Sequence, residues 1–257
     1  PGESQLELNR RSVRNQIHDI ERQLKAVEKN RATVREKRLE SSIFKIGLIG
    51  YTNAGKSTIM NCLTSKSQYE ADELFATLDA TTKNINLSGQ LNVTLTDTVG
   101  FIQDLPTELV SSFKSTLEES KNVDLLVHVI DASDPHHEEH EKTVLDIMKE
   151  LDMLDIPRLT LYNKADKAEH FTPTLTPYSL ISAKADNSRA LLQQVLLERM
   201  KELFLPFTIN VAPAKAYKIH DLEKVAIMGN REYIDDVETI SGWIAEKNKW
   251  KLEEFYD

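Results

Sequence analysis

The sequence predicts an α/β protein: a doubly wound, mostly parallel sheet over residues 42–204, a long helix before it (1–41) and a small α+β segment after it (205–257). Three observations carry this reading. Short apolar runs alternate with helical patterns from Ile43 to Leu203, as the strands and crossover helices of a parallel sheet do. A glycine-bearing string, Gly50 to Ser57, joins the first run to the first helix. No proline or glycine interrupts Glu3 to Ser42, and the apolar residues there keep a heptad spacing.

The first element is one long helix. Leu6, Val13, Ile17, Ile20, Leu24, Val27 and Val34 form a seam, and the positions between them are rich in charge, Arg10, Arg11 and Arg14 among them. A seam needs a partner, and no second helix of matching length is evident in the sequence. The chain begins Pro-Gly-Glu without a methionine, so the partner helix is expected upstream or in another molecule; the alternative is a solvated helix packed loosely on the next domain. Next come a strand at Ile43–Ile49 and a helix through Leu63. Two strands, Asn84–Leu87 and Leu91–Thr96, meet at Ser88-Gly89. Thr107–Ser120 reads as a helix. Leu125–Ile130 is nearly all apolar, which suits a central strand buried on both faces, and His128 within it reads as a satisfied core histidine. A helix at Glu138–Met153, strands at Arg158–Tyr162 and Ser179–Ser182, and a helix at Ser188–Leu203 complete the alternation. Beyond Pro206, Phe207–Val211, Val225–Met228 and Trp250–Phe255 read as strands and Ile234–Asn248 as helical.

Bulk properties narrow the function. The 257 residues carry a net charge of −9 and one cysteine, Cys62, which reads as a small core residue; no disulfide can form within the chain. No apolar run reaches the length of a membrane-crossing helix, so no integral membrane role is expected. The charge is uneven. Residues 1–41 hold 10 Lys/Arg against 7 Asp/Glu, and residues 42–204 hold 15 against 24. An acidic body argues against generic nucleic-acid binding, DNA included, but leaves room for a local basic element.

The chemistry sits in four strings, each at the end of a predicted strand. Gly50-Tyr51-Thr52-Asn53-Ala54-Gly55-Lys56-Ser57, followed by Thr58, fits G-x-x-x-x-G-K-[ST]. Glycines let the backbone turn its N–H groups onto phosphate oxygens, the next helix offers its N-terminus, Lys56 reaches the β- and γ-phosphates, and the Ser57 hydroxyl suits Mg²⁺. Asp97-Thr98-Val99-Gly100 places a carboxylate near that ion, through water, and an amide near the γ-phosphate. Asn163-Lys164-Ala165-Asp166 offers a carboxylate for guanine N1–H and the N2 amine. Asn163 would fix the loop and touch the base edge, and the Lys164 stem would cover the ring. Ser182-Ala183-Lys184 would present an amide to guanine O6. Buried groups that pair only with guanine reject adenine. These four strings in this order identify a P-loop GTPase and argue against a P-loop kinase or ATPase.

A threonine should complete the Mg²⁺ shell. Spacing alone leaves Thr77, Thr81 and Thr82. Asn53 most simply stabilises the loop turn; the alternative is a K⁺ ion there that supplies charge in place of an arginine finger. His136, His137 and His140, set among Glu138, Glu139 and Glu141, miss the H-E-x-x-H string and read as an exposed, acid-rich helix start rather than a metal site.

GYTNAGKST, LFATLDATTK (Leu74–Lys83), the segment Asp97–Ser120, DLLVHVIDAS (Asp124–Ser133) and NKAD together resemble the HflX family of ribosome-associated GTPases. The opening Pro1–Arg11 resembles the end of that family's N-terminal domain. The resemblance is good to about residue 204 and weak beyond. It implies that Thr77 is the Mg²⁺ ligand and that Phe75, Ala76, Thr77, Leu78 and Asp79 line the nucleotide. It implies an absent N-terminal α/β subdomain, whose hairpin helix would be the partner of residues 1–41. The expected activity is Mg²⁺-dependent hydrolysis of GTP to GDP, with Lys56, Thr77 and Gly100 as catalytic groups. The expected partner is the large ribosomal subunit and its rRNA, met through helix 1–41, and the outcome is splitting or recycling of stalled or idle ribosomes. A monomer in the cytoplasm, associated with ribosomes or the membrane surface, is expected. Phe101 stands where many such enzymes have a water-orienting glutamine, so hydrolysis should be slow alone and stimulated by the ribosome. A nucleotide-gated binding protein with incidental hydrolysis is the other reading.

Overall fold

Seven residues, Phe44–Gly50 (β1), are buried almost throughout, and this follows from their place in the middle of a sheet. In the computed structural model the described residues are 42–64, 81–87, 89, 91–97, 119–169, 171–234 and 237–256. The long helix read at 1–41 and nearly all of the helix read at Thr107–Ser120 lie outside them. After β1 come α1 (Lys56–Thr64), β2 (Thr81–Leu87), β3 (Leu91–Asp97) and β4 (Leu125–Asp131). Then follow α2 (His137–Glu150), β5 (Arg158–Asn163), β6 (Tyr178–Leu180) and α3 (Ser188–Leu203).

The strands form one sheet in the order β2-β3-β1-β4-β5-β6. All its pairings are parallel except β2 with β3. Helices cover both faces, as the alternation predicted. Ile59, Met60 and Leu63 of α1 and Leu192, Leu196 and Met200 of α3 share a core with Leu48, Val127 and Val129. Val144 and Met148 of α2 pack on Ile49 and Leu126 from the other side. Gly50, Asp97, Asp131 and Asn163 all stand at strand C-termini. Chain order reverses on either side of β1, and that is where an open α/β sheet forms its ligand crevice.

Residues from Leu205 onward build a second, antiparallel sheet. Its strands β7 (Leu205–Val211), β8 (Ala226–Ile234) and β9 (Val237–Ile244) lie in the order β7-β9-β8. The short helices α4 (Ile219–Glu223) and α5 (Trp250–Glu253) contribute Leu222 and Leu252 to its core beside Ile209 and Ile240. The sheet is joined to the first one. Ile227 and Ala245 enter the larger core. The Asn248 side chain donates to the Ser42 carbonyl at 2.7 Å, and Lys247 reaches Asp124 at 2.6 Å.

Two expectations for this segment are corrected. The stretch Ile234–Asn248, read as helical, is mostly strand β9. Ile234, Val237, Ile240 and Ile244 stand three and four apart, which a helix also satisfies, but alternate residues, Glu238, Ile240, Gly242 and Ile244, are the ones that point inward. Close strand contact decides it: a Cβ on Gly242 would come within 2.4 Å of the Ile227 carbonyl oxygen. Trp250–Phe255, read as a strand, is helical through Glu253 and buries Leu252 and Phe255, three residues apart on one face. Shorter departures occur elsewhere. The helix read to Met153 ends at Glu150, because Asp152 takes a φ of 52°. The strand read at Ser179–Ser182 is Tyr178–Leu180, and that read at Val225–Met228 continues to Ile234 past an irregularity between Met228 and Arg231.

Candidate functional site

The loop between β1 and α1 is shaped by backbone geometry that few residues tolerate. Gly55 has φ +102°, and a Cβ there would lie 2.1 Å from the Asn163 amide nitrogen. At Gly50 a Cβ would meet the Val129 carbonyl oxygen at 2.2 Å. Asn53 has φ 60° and is exposed. Asparagine enters that left-handed region more readily than most residues, which accounts for it here without an ion. Lys56 is buried at the start of α1, and its ammonium donates to the Gly50 and Tyr51 carbonyls at 3.1 and 2.9 Å. Burial lowers its pKa to about 8, with Asp97 pulling the other way. The loop thus encloses its own cation, held ready for an anion.

Beside Lys56, the Ser57 hydroxyl donates to Asp97 Oδ2 at 2.8 Å. A hydroxyl and a carboxylate next to a phosphate cradle form the hard oxygen donor set that suits Mg²⁺. Among the threonine candidates, Thr81 stands opposite Asp97 in the β2–β3 ladder, and the Thr82 hydroxyl pairs with that of Thr96 at 3.0 Å. Thr77, with Phe75, Ala76, Leu78 and Asp79, lies outside the described residues, as do Thr98, Val99, Gly100 and Phe101.

Asn163 holds the base side together. Its amide nitrogen donates to the Ala54 carbonyl at 2.9 Å, and its amide oxygen accepts from the Ala183 N–H at 3.0 Å. One buried side chain therefore ties the phosphate loop to the loop after β6. Lys164 has φ 59° and pairs with Asp131 at 2.7 Å, so its stem is anchored from β4. Asp166 is exposed, and a hydrogen bond from the Ser182 side chain lowers its pKa, keeping an ionised acceptor for two N–H donors. Asp131 falls in the string Asp124–Ser133 but is assigned no role from sequence. Its signal was its place opposite Asn163 in the β4–β5 register, which the sequence does not print.

On the α2 side the structure departs from expectation. His128 was read as satisfied. It is buried, but its Nδ1 has no hydrogen-bond partner among the described residues. Burial, with Arg158 and Lys56 nearby, lowers its pKa to about 3, so it stays neutral. Glu141 is buried too, with Oε2 accepting from Thr174 and Oε1 unpartnered among the described residues. The histidine cluster divides. His136 faces Glu139, His137 Nδ1 donates to the Asp134 carbonyl at 2.9 Å, and the His140 ring stacks on Tyr51 of the phosphate loop. Cys62 is half-buried, its sulfur 3.2 Å from the Ser188 hydroxyl.

Residues 45–164 match a family described as 50S ribosome-binding GTPase, and residues 1–38 match the GTP-binding GTPase middle region. A curated GTPase HflX from Alkalihalophilus pseudofirmus is 49% identical over 209 residues, covering 80% of this chain and 49% of that protein. The GTPase HflX of Chlamydia pneumoniae is 40% identical over 261 residues, covering 99% of this chain and 55% of that protein, so the likeness runs through the segment after 204 as well. This chain spans about half the length of these curated relatives. Among solved structures, a GTP-binding protein from the archaeon Sulfolobus solfataricus in complex with GDP shares the fold, with a TM-score of 0.52 and 24% identity over 75% of this chain and 61% of that one.

Proposed function

Since this chain belongs to the HflX family of GTPases, we propose that it hydrolyses GTP in a Mg²⁺-dependent reaction and acts on the large ribosomal subunit to split or recycle stalled or idle ribosomes. The observation that carries the nucleotide chemistry is the bridge through Asn163. It joins the phosphate loop to the loop after β6, beside the Asp166 carboxylate. The subunit assignment draws on the matched family's description as a 50S ribosome-binding GTPase.

The roles follow from the chemistry. Lys56 exchanges two carbonyl partners for phosphate oxygens and, with the loop amides, stabilises the charge that develops as water attacks the γ-phosphorus in line. Ser57, Asp97 through water, and Thr77 would hold Mg²⁺, which supplies further charge neutralisation when bound. The Gly100 amide would bond the γ-phosphate. Phe101 has no donor or acceptor to orient water, so hydrolysis is slow until a partner completes the site. The basic segment 1–41, with Arg10, Arg11 and Arg14, is the element that meets rRNA.

GTP turnover by this chain, and by a form extended at its N-terminus to the length of its relatives, with and without large ribosomal subunits, tests this reading. The expected result is a low basal rate that rises with subunits in the extended form. A fast basal rate, or no stimulation of either form, sinks it. Ribosome splitting that is equal with GTP and with a non-hydrolysable analogue would favour the nucleotide-gated binder. Equal turnover in KCl and NaCl would remove K⁺ from consideration at Asn53.

A further inference from the structure

The histidine cluster at the start of α2 is left without a part in the chemistry above, yet one member touches the phosphate loop. The rings of His140 and Tyr51 stack with centroids 3.7 Å apart and planes 8° from parallel. His140 is itself steadied. Its Nδ1 lies 3.5 Å from Asp134 Oδ2, while the other Asp134 oxygen accepts from the His136 N–H at 2.9 Å. The Asp134 carbonyl accepts from His137. The first turn of α2 is thereby a cross-linked bracket with one aromatic face presented to the loop.

The loop is not packed solidly throughout at this point. Behind it, toward β4 and α2, lies a cavity of about 40 Å³ lined by Tyr51, Thr52, Asn53, Ala54, His128 and Glu141, among others. That is room for two or three waters rather than for a packed side chain. Tyr51 also packs against the apolar cluster of Ile49, Leu126, Val144 and Met148, so the stack on His140 is a second hold on it, on the side where the cavity leaves the loop unfilled.

We propose that His140 is a positioning residue for the nucleotide: its ring, seated by Asp134, holds Tyr51 and with it the phosphate loop in the binding-ready conformation. This rests on the proposed function, because it needs a guanine nucleotide on that loop. The stack acts on binding and exchange and not on the hydrolytic step.

Dissociation rates and affinities for fluorescent GDP and GTP, with kcat at saturating GTP, test this in the whole chain. His140→Ala and His140→Gln should each weaken nucleotide affinity about two- to ten-fold, the range expected for losing one aromatic stack, mainly through faster dissociation. The kcat at saturation should stay within about two-fold of the parent. His140→Phe, which keeps a flat ring but loses the contact with Asp134, should recover most of the lost affinity. A merely structural role would make Phe no better than Ala. Parent-like affinity in Ala and Gln, or failure of Phe to rescue, overturns the proposal. The Gln variant keeps a polar, helix-compatible side chain, so the test survives poor folding of the Ala variant. A parent chain that binds no guanine nucleotide overturns both this inference and the proposed function. One that binds while all variants behave alike overturns this inference alone.

Discussion

Lys56 shows how one residue couples burial to function. Its ammonium sits out of water on two backbone carbonyls, with a pKa lowered from 10.5 to about 8 by desolvation and only partly restored by Asp97. Between pH 8 and 10.5 the unfolded chain keeps a proton that the folded chain has released. This group's contribution to stability therefore increases as pH rises through that window, and the penalty is fully present below it. A polyphosphate beside Lys56 favours the charged form. Above pH 8, binding must therefore take up a proton, and affinity should fall as pH rises. Calorimetric titration of GDP at pH 9, in two buffers of different ionisation enthalpy, should show an uptake approaching about one proton, against almost none at pH 7. Absence of uptake at pH 9 would mean that Lys56 is not the group meeting the phosphates.

At the scale of elements, the site is a set of strand ends held in register by side chains from other strands. β1 delivers the phosphate loop, β3 delivers Asp97, β4 delivers Asp131, and β5 delivers Asn163. The tightest joint is between Gly55 and Asn163. In Gly55→Ala the new Cβ would meet the Asn163 amide at 2.1 Å in a backbone conformation that alanine resists. The loop would have to move, or Asn163 would have to give up its bonds to Ala54 and Ala183. Backbone strain and a broken buried hydrogen bond each cost about 1–3 kcal/mol, so nucleotide affinity should drop by roughly 30-fold or more. Fluorescent GDP binding measures it, and a variant that binds like the parent would show that the bridge does not shape the loop.

Across the whole of residues 42–257, the second sheet is a structural partner of the first. Phe44 packs edge-on against Phe204, with centroids 5.0 Å apart, where the chain passes into β7. Ile227 and Ala245 share the larger core, and the Asn92 N–H donates to the Lys224 carbonyl at 2.9 Å. Removing residues 205–257 would uncover this face. The loss of a few buried side chains, at about 1.5–3 kcal/mol each, should lower the melting temperature by roughly 10 °C or more. Thermal unfolding of the shortened chain tests this; an unchanged midpoint would make the second sheet an independent appendage.

What the sequence determined by itself is the chemistry that local strings encode. GYTNAGKS must make a phosphate loop, because its turn needs Gly50 and Gly55 and places Lys56 at a helix start within a few residues. Central strand β4 was legible for a similar reason, since burial on both faces demands an unbroken apolar run. The tertiary structure alone decided what joins distant strings. Asn163 grips Ala54 across 109 residues, Asp131 anchors Lys164, and His140 backs Tyr51. It also decided β9, where apolar residues three and four apart permit a helix and only pairing with β7 and β8 selects a strand. Local spacing states which conformations a segment can take; contacts between segments far apart in the chain choose among them and give neutral His128 and half-paired Glu141 surroundings that no spacing reveals.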